Sequence, residues 1–322
     1  MEVFRLTLQQ MLMMFLLMAA GFILRKKSLL PENANIIMSK LETFIFVPAL
    51  SLYTQMTKCT VETFAQHSSL MLYGLVITLC GMALSFPLSA MFVRNASHSA
   101  RQLYQRRVYQ YAMTFSNFGF MGNFIILGVW GSDVFFQYGL FNFFYSVLCN
   151  SWGLFILIPK EQNAGWAANL KKGLLKPPMI ALVAGIVIGL LGWTRFVPQF
   201  CLTALDKASA CQGPVAMLLA GFVIGGYDFK ELILNKKVYV ASVVRLVAIP
   251  AVLLMVLSAF GVSKTIRILA LVAYGTPLGL NTVVYPSAYG GDPKTGASMA
   301  MISHTLSVIT IPMMYMFFIE GI

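Results

Sequence analysis

The apolar residues of this chain fall into ten long runs, near positions 5–24, 34–57, 68–93, 107–130, 133–158, 178–194, 199–226, 238–260, 267–290 and 295–319. A helix rises about 1.5 Å per residue, so runs of about 20 residues match a hydrocarbon core roughly 30 Å thick. The pattern predicts an all-α integral membrane protein with ten transmembrane helices. Polar positions cluster in short loops between the runs, and every second loop is basic. Arg25–Lys27, Arg94–Arg107, Lys160–Lys176, Lys230–Lys237 and Asp292–Lys294 hold most of the 23 Lys and Arg. Short basic loops stay cytoplasmic. Both termini are therefore expected outside the cytoplasm, in a multi-pass protein of the cell membrane.

Two runs are interrupted. Ala273 to Tyr285 reads Ala-Tyr-Gly-Thr-Pro-Leu-Gly-Leu-Asn-Thr-Val-Val-Tyr, and Ser116 to Asn123 reads Ser-Asn-Phe-Gly-Phe-Met-Gly-Asn. Pro277 removes a helical hydrogen bond and clashes with the preceding turn, so the ninth helix is expected to break there. Broken backbone survives at membrane depth only where protein or a water-filled cavity satisfies it. Asn117 follows Arg107 by the same interval as Pro277 follows Arg267, and that interval rises about 15 Å, half the hydrocarbon core. Broken helices 4 and 9 are thus expected to cross at the midplane.

The halves resemble each other elsewhere. Ser39-Lys40-Leu41 followed by Val47-Pro48-Ala49-Leu50 in run 2 parallels Asp206-Lys207-Ala208 followed by Gly213-Pro214-Val215-Ala216 in run 7. Five crossings per half force the second half to start from the opposite side, so homologous halves form a 5+5 inverted repeat. The expected parts are residues 1–158 as the first repeat, 159–177 as a cytoplasmic linker and 178–322 as the second. In the linker, Trp166, Leu170 and Leu174 recur at four-residue spacing among lysines, as in a short interfacial helix.

Composition narrows the function. Only 11% of residues are charged against 58% hydrophobic, where soluble domains carry about 25% charged. The net charge of +12 sits in the loops, which argues for membrane lipid as a neighbour and against nucleic acid. The five cysteines are too scattered for a disulfide framework or metal site, though Cys59 and Cys201 fall on the same expected face. The sequon Asn95-Ala-Ser97 lies on the cytoplasmic side, where it is silent. The basic cluster follows the first apolar run instead of preceding it, unlike a cleavable signal peptide. Gly-x-Ser-x-Gly, His-Glu-x-x-His and paired-aspartate motifs are absent, so neither an enzyme, a metal nor a cofactor is expected.

The candidate site is the pair of breaks. The second half-helices begin near one point and present positive dipole ends with free N–H groups, an anion site without a buried cation. The first halves end there with carbonyls that can take a cation. Asn117, Gly119, Asn123, Thr276, Pro277, Asn281 and Thr282 complete the shell, against the alternative that these residues serve helix packing. Pro48, Asn142 and His304 are further candidates for the lining, and His304 also for a proton carrier. Arg245 reads either as a snorkelling side chain or as a group near the substrate or a half-helix end. Lys40 beside Glu42, and Lys207 beside Asp206, read as interfacial pairs or as coupling charges.

Phe46-Val47-Pro48-Ala49-Leu50, Asn117-Phe118-Gly119-Phe120-Met121-Gly122, Pro277 with Asn281, and the closing segment from Tyr285 to Pro312 with Tyr289-Gly290 and Asp292 resemble the auxin efflux carrier family. The resemblance covers essentially the whole chain. It is to the short prokaryotic members, because the long hydrophilic loop of the plant carriers is missing. It implies crossed broken helices holding an organic anion, a scaffold of helices 1, 2, 6 and 7, a mobile unit of helices 3–5 and 8–10, elevator motion and a homodimer. Carried over, the site positions are Asn117, Gly119, Pro277 and Asn281. One departure is that helix 4 has no proline at its break. The resulting expectation is a secondary carrier for a small organic anion, a carboxylate above all. The competing reading is a membrane receptor that binds the anion without moving it.

Overall fold

The computed structural model describes residues 2–94, 99–159, 165–288 and 292–320. The sequon at Asn95 and the Tyr289-Gly290 pair lie outside the described residues. The chain is helical almost throughout, and no strand occurs among the described residues.

Among the described residues, seven helices are long and apolar enough to cross a membrane: α1 (Val3–Lys26), α2 (Ala34–Lys58), α3 (Val61–Phe92), α5 (Phe118–Phe141), α9 (Gln199–Gly225), α10 (Lys236–Ala259) and α13 (Lys294–Glu320). Helices α7 (Trp166–Leu174) and α8 (Pro177–Leu190) meet at a 58° bend and supply an eighth candidate if taken together. The others are short: α4 (Ala100–Thr114), α6 (Phe143–Leu157), α11 (Lys264–Gly275) and α12 (Asn281–Ala288). Of these, α4, α11 and α12 flank the expected breaks. Gly131, at φ 79° and ψ −173°, splits α5 at a kink between the fourth and fifth apolar runs. A left-handed φ of this kind is open to glycine at little cost.

Proline shapes the long helices. Pro48 follows a π-helical turn at Glu42–Phe46, and Pro250 follows another at Val244–Ala248. Proline offers no N–H to the carbonyl one turn back and its ring crowds that carbonyl. Widening the turn relieves the crowding while keeping the helix continuous. Two helix starts are closed by side chains: the Thr60 hydroxyl accepts from the Thr63 amide before α3, and the Ser263 hydroxyl accepts from the Ile266 amide at α11.

Helices α1, α2, α8 and α9 pack on one another, with α9 along both α1 and α2. Glycines set the spacing. A methyl group at Gly221 of α9 would land on the Met18 carbonyl of α1, and one at Gly21 on the Leu218 carbonyl. Between helices in lipid, where no hydrophobic force pulls them together, such backbone approach supplies the dispersion contacts. Phe200, Leu16 and Phe260 are among large apolar side chains left more than 70% exposed, which suits a surface facing hydrocarbon and not water.

The five cysteines are free thiols, so Cys59 and Cys201 form no bridge. The amphipathic segment of the linker is a helix, as its spacing indicates, with Lys171 and Lys172 exposed.

Candidate functional site

The chain leaves helical geometry between α4 and α5 and again between α11 and α12. Phe115 is extended at φ −110°, ψ 135°, and Thr276 at φ −70°, ψ 153°. The two segments run antiparallel: Ser116 bridges Leu278, and the Asn117 amide donates to the Pro277 carbonyl at 2.7 Å. Pro277 itself has no N–H to give, and in this pairing none is asked of it.

Every backbone group freed at buried depth needs a partner, and side chains supply several. The Tyr145 hydroxyl accepts the Ser116 N–H at 2.8 Å and reaches the Thr114 carbonyl at 3.3 Å. The Ser116 hydroxyl donates to the Ala273 carbonyl at 2.5 Å, and the Ser303 hydroxyl accepts the Leu278 N–H at 3.1 Å. The Thr282 hydroxyl donates back to the Gly279 carbonyl. Tyr145 and Ser303 were not among the residues singled out from sequence. Nothing in a one-dimensional pattern marks a tyrosine on one helix as the partner of a break on another.

A cavity of about 190 Å³ opens beside the paired segments. Asn117, Gly119 and Asn123 line it from the start of α5, and Gly279, Asn281 and Tyr285 from the second break and α12. Asn142, Ser146, Cys149 and Asn150 come from the C-cap of α5 and from α6. Thr43, Val47, Ser51 and Gln55, spaced four apart, form one face of α2, while Lys176, Met179 and Leu182 complete the wall at α8. The volume is below the roughly 300–1,000 Å³ of drug-sized sites, so it suits a small ligand.

Charge on this wall is one-sided. The Lys176 ammonium donates to Asn150 Oδ1 and to the Tyr285 hydroxyl, each at 2.7 Å. Both acceptors are uncharged, and among the described residues Lys176 makes no ion pair and no Asp or Glu lines the cavity. Gln55 is fully buried, and among the described residues neither its Nε2 nor its Oε1 has a partner, nor does the Asn142 Oδ1. An unpaired buried amide is costly unless something else bonds it. Sequence reading missed Lys176 by counting it with the linker's basic cluster. The stripe Thr43, Ser51, Gln55 was a legible signal.

The predicted residues separate into groups. Asn117, Gly119, Asn123, Asn142 and Asn281 line the cavity. Asn281 Nδ2 donates to the Tyr111 hydroxyl at 2.8 Å. His304 stands behind Asn117: its Nδ1 donates to the Ala300 carbonyl at 2.7 Å, which leaves Nε2 as acceptor for Asn117 Nδ2 at 3.2 Å. It therefore orients Asn117 and does not itself face the cavity. Thr276, Pro277 and Thr282 build the second break but lie off the cavity wall, and Thr276 is wholly buried. Pro48 adjoins the lining residue Val47 without lining the cavity itself.

Three charges sit elsewhere. Arg245 is fully buried and bonds the Met113 carbonyl at 3.2 Å, so it does not snorkel. Lys40 is exposed and lines a separate cavity of about 490 Å³ with Arg25 and Glu32. Lys40 does not pair with Glu42, which is buried on the opposite face of α2 beside the Gln212 side chain of α9. Residues two apart point about 200° away from each other around a helix, so the expected pair is geometrically excluded. Lys207 is exposed on α9 and makes no ion pair with Asp206.

Among the described residues no cluster of three or more His, Cys, Asp or Glu is placed to hold a metal ion. No curated protein matches the chain. The profile of the family described as membrane transport protein matches residues 6–315 of the 322. The chain belongs to that family, the auxin efflux carrier or PIN-like transporters.

Proposed function

We propose that this member of the membrane transport protein family is a secondary carrier that moves a small organic anion, a carboxylate above all. The observation that carries the reading is the cavity beside the paired breaks: among the described residues its single charge is the Lys176 ammonium, its other polar groups are chiefly amides and hydroxyls, and no carboxylate lines it. The first turns of α5 and α12 border the same space and add partial positive charge from their free N–H groups. Together these favour an anion over a cation or a neutral solute.

The cavity also lies at a seam. One wall belongs to α2 and α8, which pack with α1 and α9. The other belongs to α5, α6 and α12. Sliding the second group along the first would carry the polar breaks across the membrane while the apolar scaffold stays put, which is the elevator mechanism. In this reading α4 with the first part of α5 is one crossing, divided at Asn117 and ended at Gly131. Helices α11 and α12 are its counterpart, divided at Pro277. The remainder of α5 with α6, and α8 by itself, then bring the count to ten in a 5+5 inverted repeat. The basic loops place both termini outside the cytoplasm, the Lys176 end of the cavity faces inward, and the carrier works as a homodimer in the cell membrane.

A ligand screen tests the substrate class. Small mono- and dicarboxylates should raise the melting temperature of the purified protein, and amines or neutral isosteres of equal size should not. Stabilisation by the amines alone would overturn the reading.

A further inference from the structure

Arg245 is the largest fully buried side chain among the described residues, and no carboxylate of theirs acts on it. It stands on the π-helical turn before Pro250 in α10. Its guanidinium lies against the last turns of the two first half-helices, at a backbone carbonyl of one and a side-chain ring of the other. On one side Nη1 donates to the Met113 carbonyl in the last turn of α4. On the other, Cζ lies 6.0 Å from the centroid of the Tyr274 ring, in the last turn of α11. The titratable groups against it are the phenols of Tyr145 and Tyr274, both neutral donors or acceptors. Among the described residues its Nε and Nη2 have no partner within 3.5 Å, and the Tyr145 hydroxyl is the polar side chain that favours its charge.

A helix C-terminus carries roughly half a negative charge on its unpaired carbonyls. Two such ends meeting in a dry interior repel each other and attract a cation. A monovalent metal ion would satisfy them, and so does a guanidinium held on a neighbouring helix.

We propose that Arg245 is a built-in counter-cation: it occupies the place that the carbonyl ends of α4 and α11 would otherwise offer to a sodium ion. The bundle around the breaks then holds its charge balance in every state of the cycle, with no need to bind and release sodium. The proposal rests on the carrier reading for its meaning in transport, but the arrangement itself concerns the folded bundle and can be tested without a substrate.

The experiment is thermal unfolding of the purified protein in choline chloride, sodium chloride or non-denaturing guanidinium chloride at equal ionic strength. The wild type should melt at one temperature in choline and sodium, and slightly lower in guanidinium, which weakens any folded protein in proportion to its concentration. Arg245→Ala should melt lower in choline and regain several degrees when guanidinium or sodium is supplied, because a ligand that binds only the folded state stabilises it. Arg245→Lys should stay near the wild type in choline. An Arg245→Ala protein equally unstable in all three salts would overturn the proposal, as would a wild type stabilised by sodium. If Arg245→Ala does not fold, Arg245→Lys and Arg245→Gln decide. A lysine variant that folds beside a glutamine variant that needs an added cation supports the counter-cation role, and equal behaviour of the two refutes it. Failure of the carboxylate screen leaves each of these outcomes unchanged.

Discussion

Lys176→Met removes the only charge that the described residues place on the cavity wall while keeping nearly the same length and volume. The wild-type ammonium spends two of its three N–H donors on Asn150 Oδ1 and the Tyr285 hydroxyl, each at 2.7 Å, and the third remains for a ligand. A hydrogen bond to a charged group contributes about 1.5–3 kcal/mol. A Coulomb estimate agrees: at roughly 6 Å and an effective dielectric constant of about 20, two unit charges interact by about 3 kcal/mol. Lys176 is partly exposed, and solvent screening moves the expectation toward the lower end. At about 1.4 kcal/mol per factor of ten, the variant should bind a carboxylate roughly tenfold more weakly, and at most about a hundredfold. Lys176→Arg should stay within a few-fold of the wild type, because the charge is kept. Titration calorimetry on the purified protein measures the affinity, with a melting curve on the same sample to confirm folding. A well-folded Lys176→Met protein with wild-type affinity would refute the reasoning that this charge selects the substrate.

Three further outcomes are expected. Asn117→Ala and Asn281→Ala should each weaken carboxylate binding by about ten- to a hundredfold; if they act only in packing, through His304 and Tyr111, melting temperature falls and affinity does not. Gly221→Val should destabilise the protein by about 1–3 kcal/mol, because the added methyl meets the Met18 backbone carbonyl and not a side chain that can turn away; an unchanged melting temperature would contradict the close approach of α1 and α9. Single cysteines at Ser99 and Ser132, both exposed, should be labelled in a cysteine-free background only from the cytoplasm and only from outside, respectively, and labelling of Ser99 from outside reverses the orientation.

The interruptions were legible because proline and glycine act locally. Gly275, Pro277 and Gly279 announce a break wherever they stand in an apolar run, and the structure departs from the helix at Thr276. Asn117 was a weaker signal without proline, yet the departure there is as complete. The boundary between the fourth and fifth runs was likewise readable, and Gly131 marks it. What escaped were properties of facing. Lys40 and Glu42 read as a pair by proximity in sequence, although helical geometry sends them apart. Depth along a helix could be counted for Arg245, but the choice between snorkelling and burial depends on what packs beside it. Lys176 sits just before Pro177 and read as part of a basic loop, because its reach into the cavity is fixed by the bend between α7 and α8. His304 was picked as polar and intramembrane, while its tautomer and its hold on Asn117 follow from Ala300, one turn away.

Counterflow in proteoliposomes tests the central claim most directly. Vesicles loaded with an unlabelled carboxylate from the ligand screen are diluted into a trace of the same anion carrying a radiolabel. The carrier reading predicts transient accumulation of label above its equilibrium level, and its loss in vesicles holding the Asn117→Ala, Asn281→Ala double variant. Tight binding of the anion by the wild-type protein with no accumulation above empty vesicles would contradict it and leave a receptor in the carrier's place.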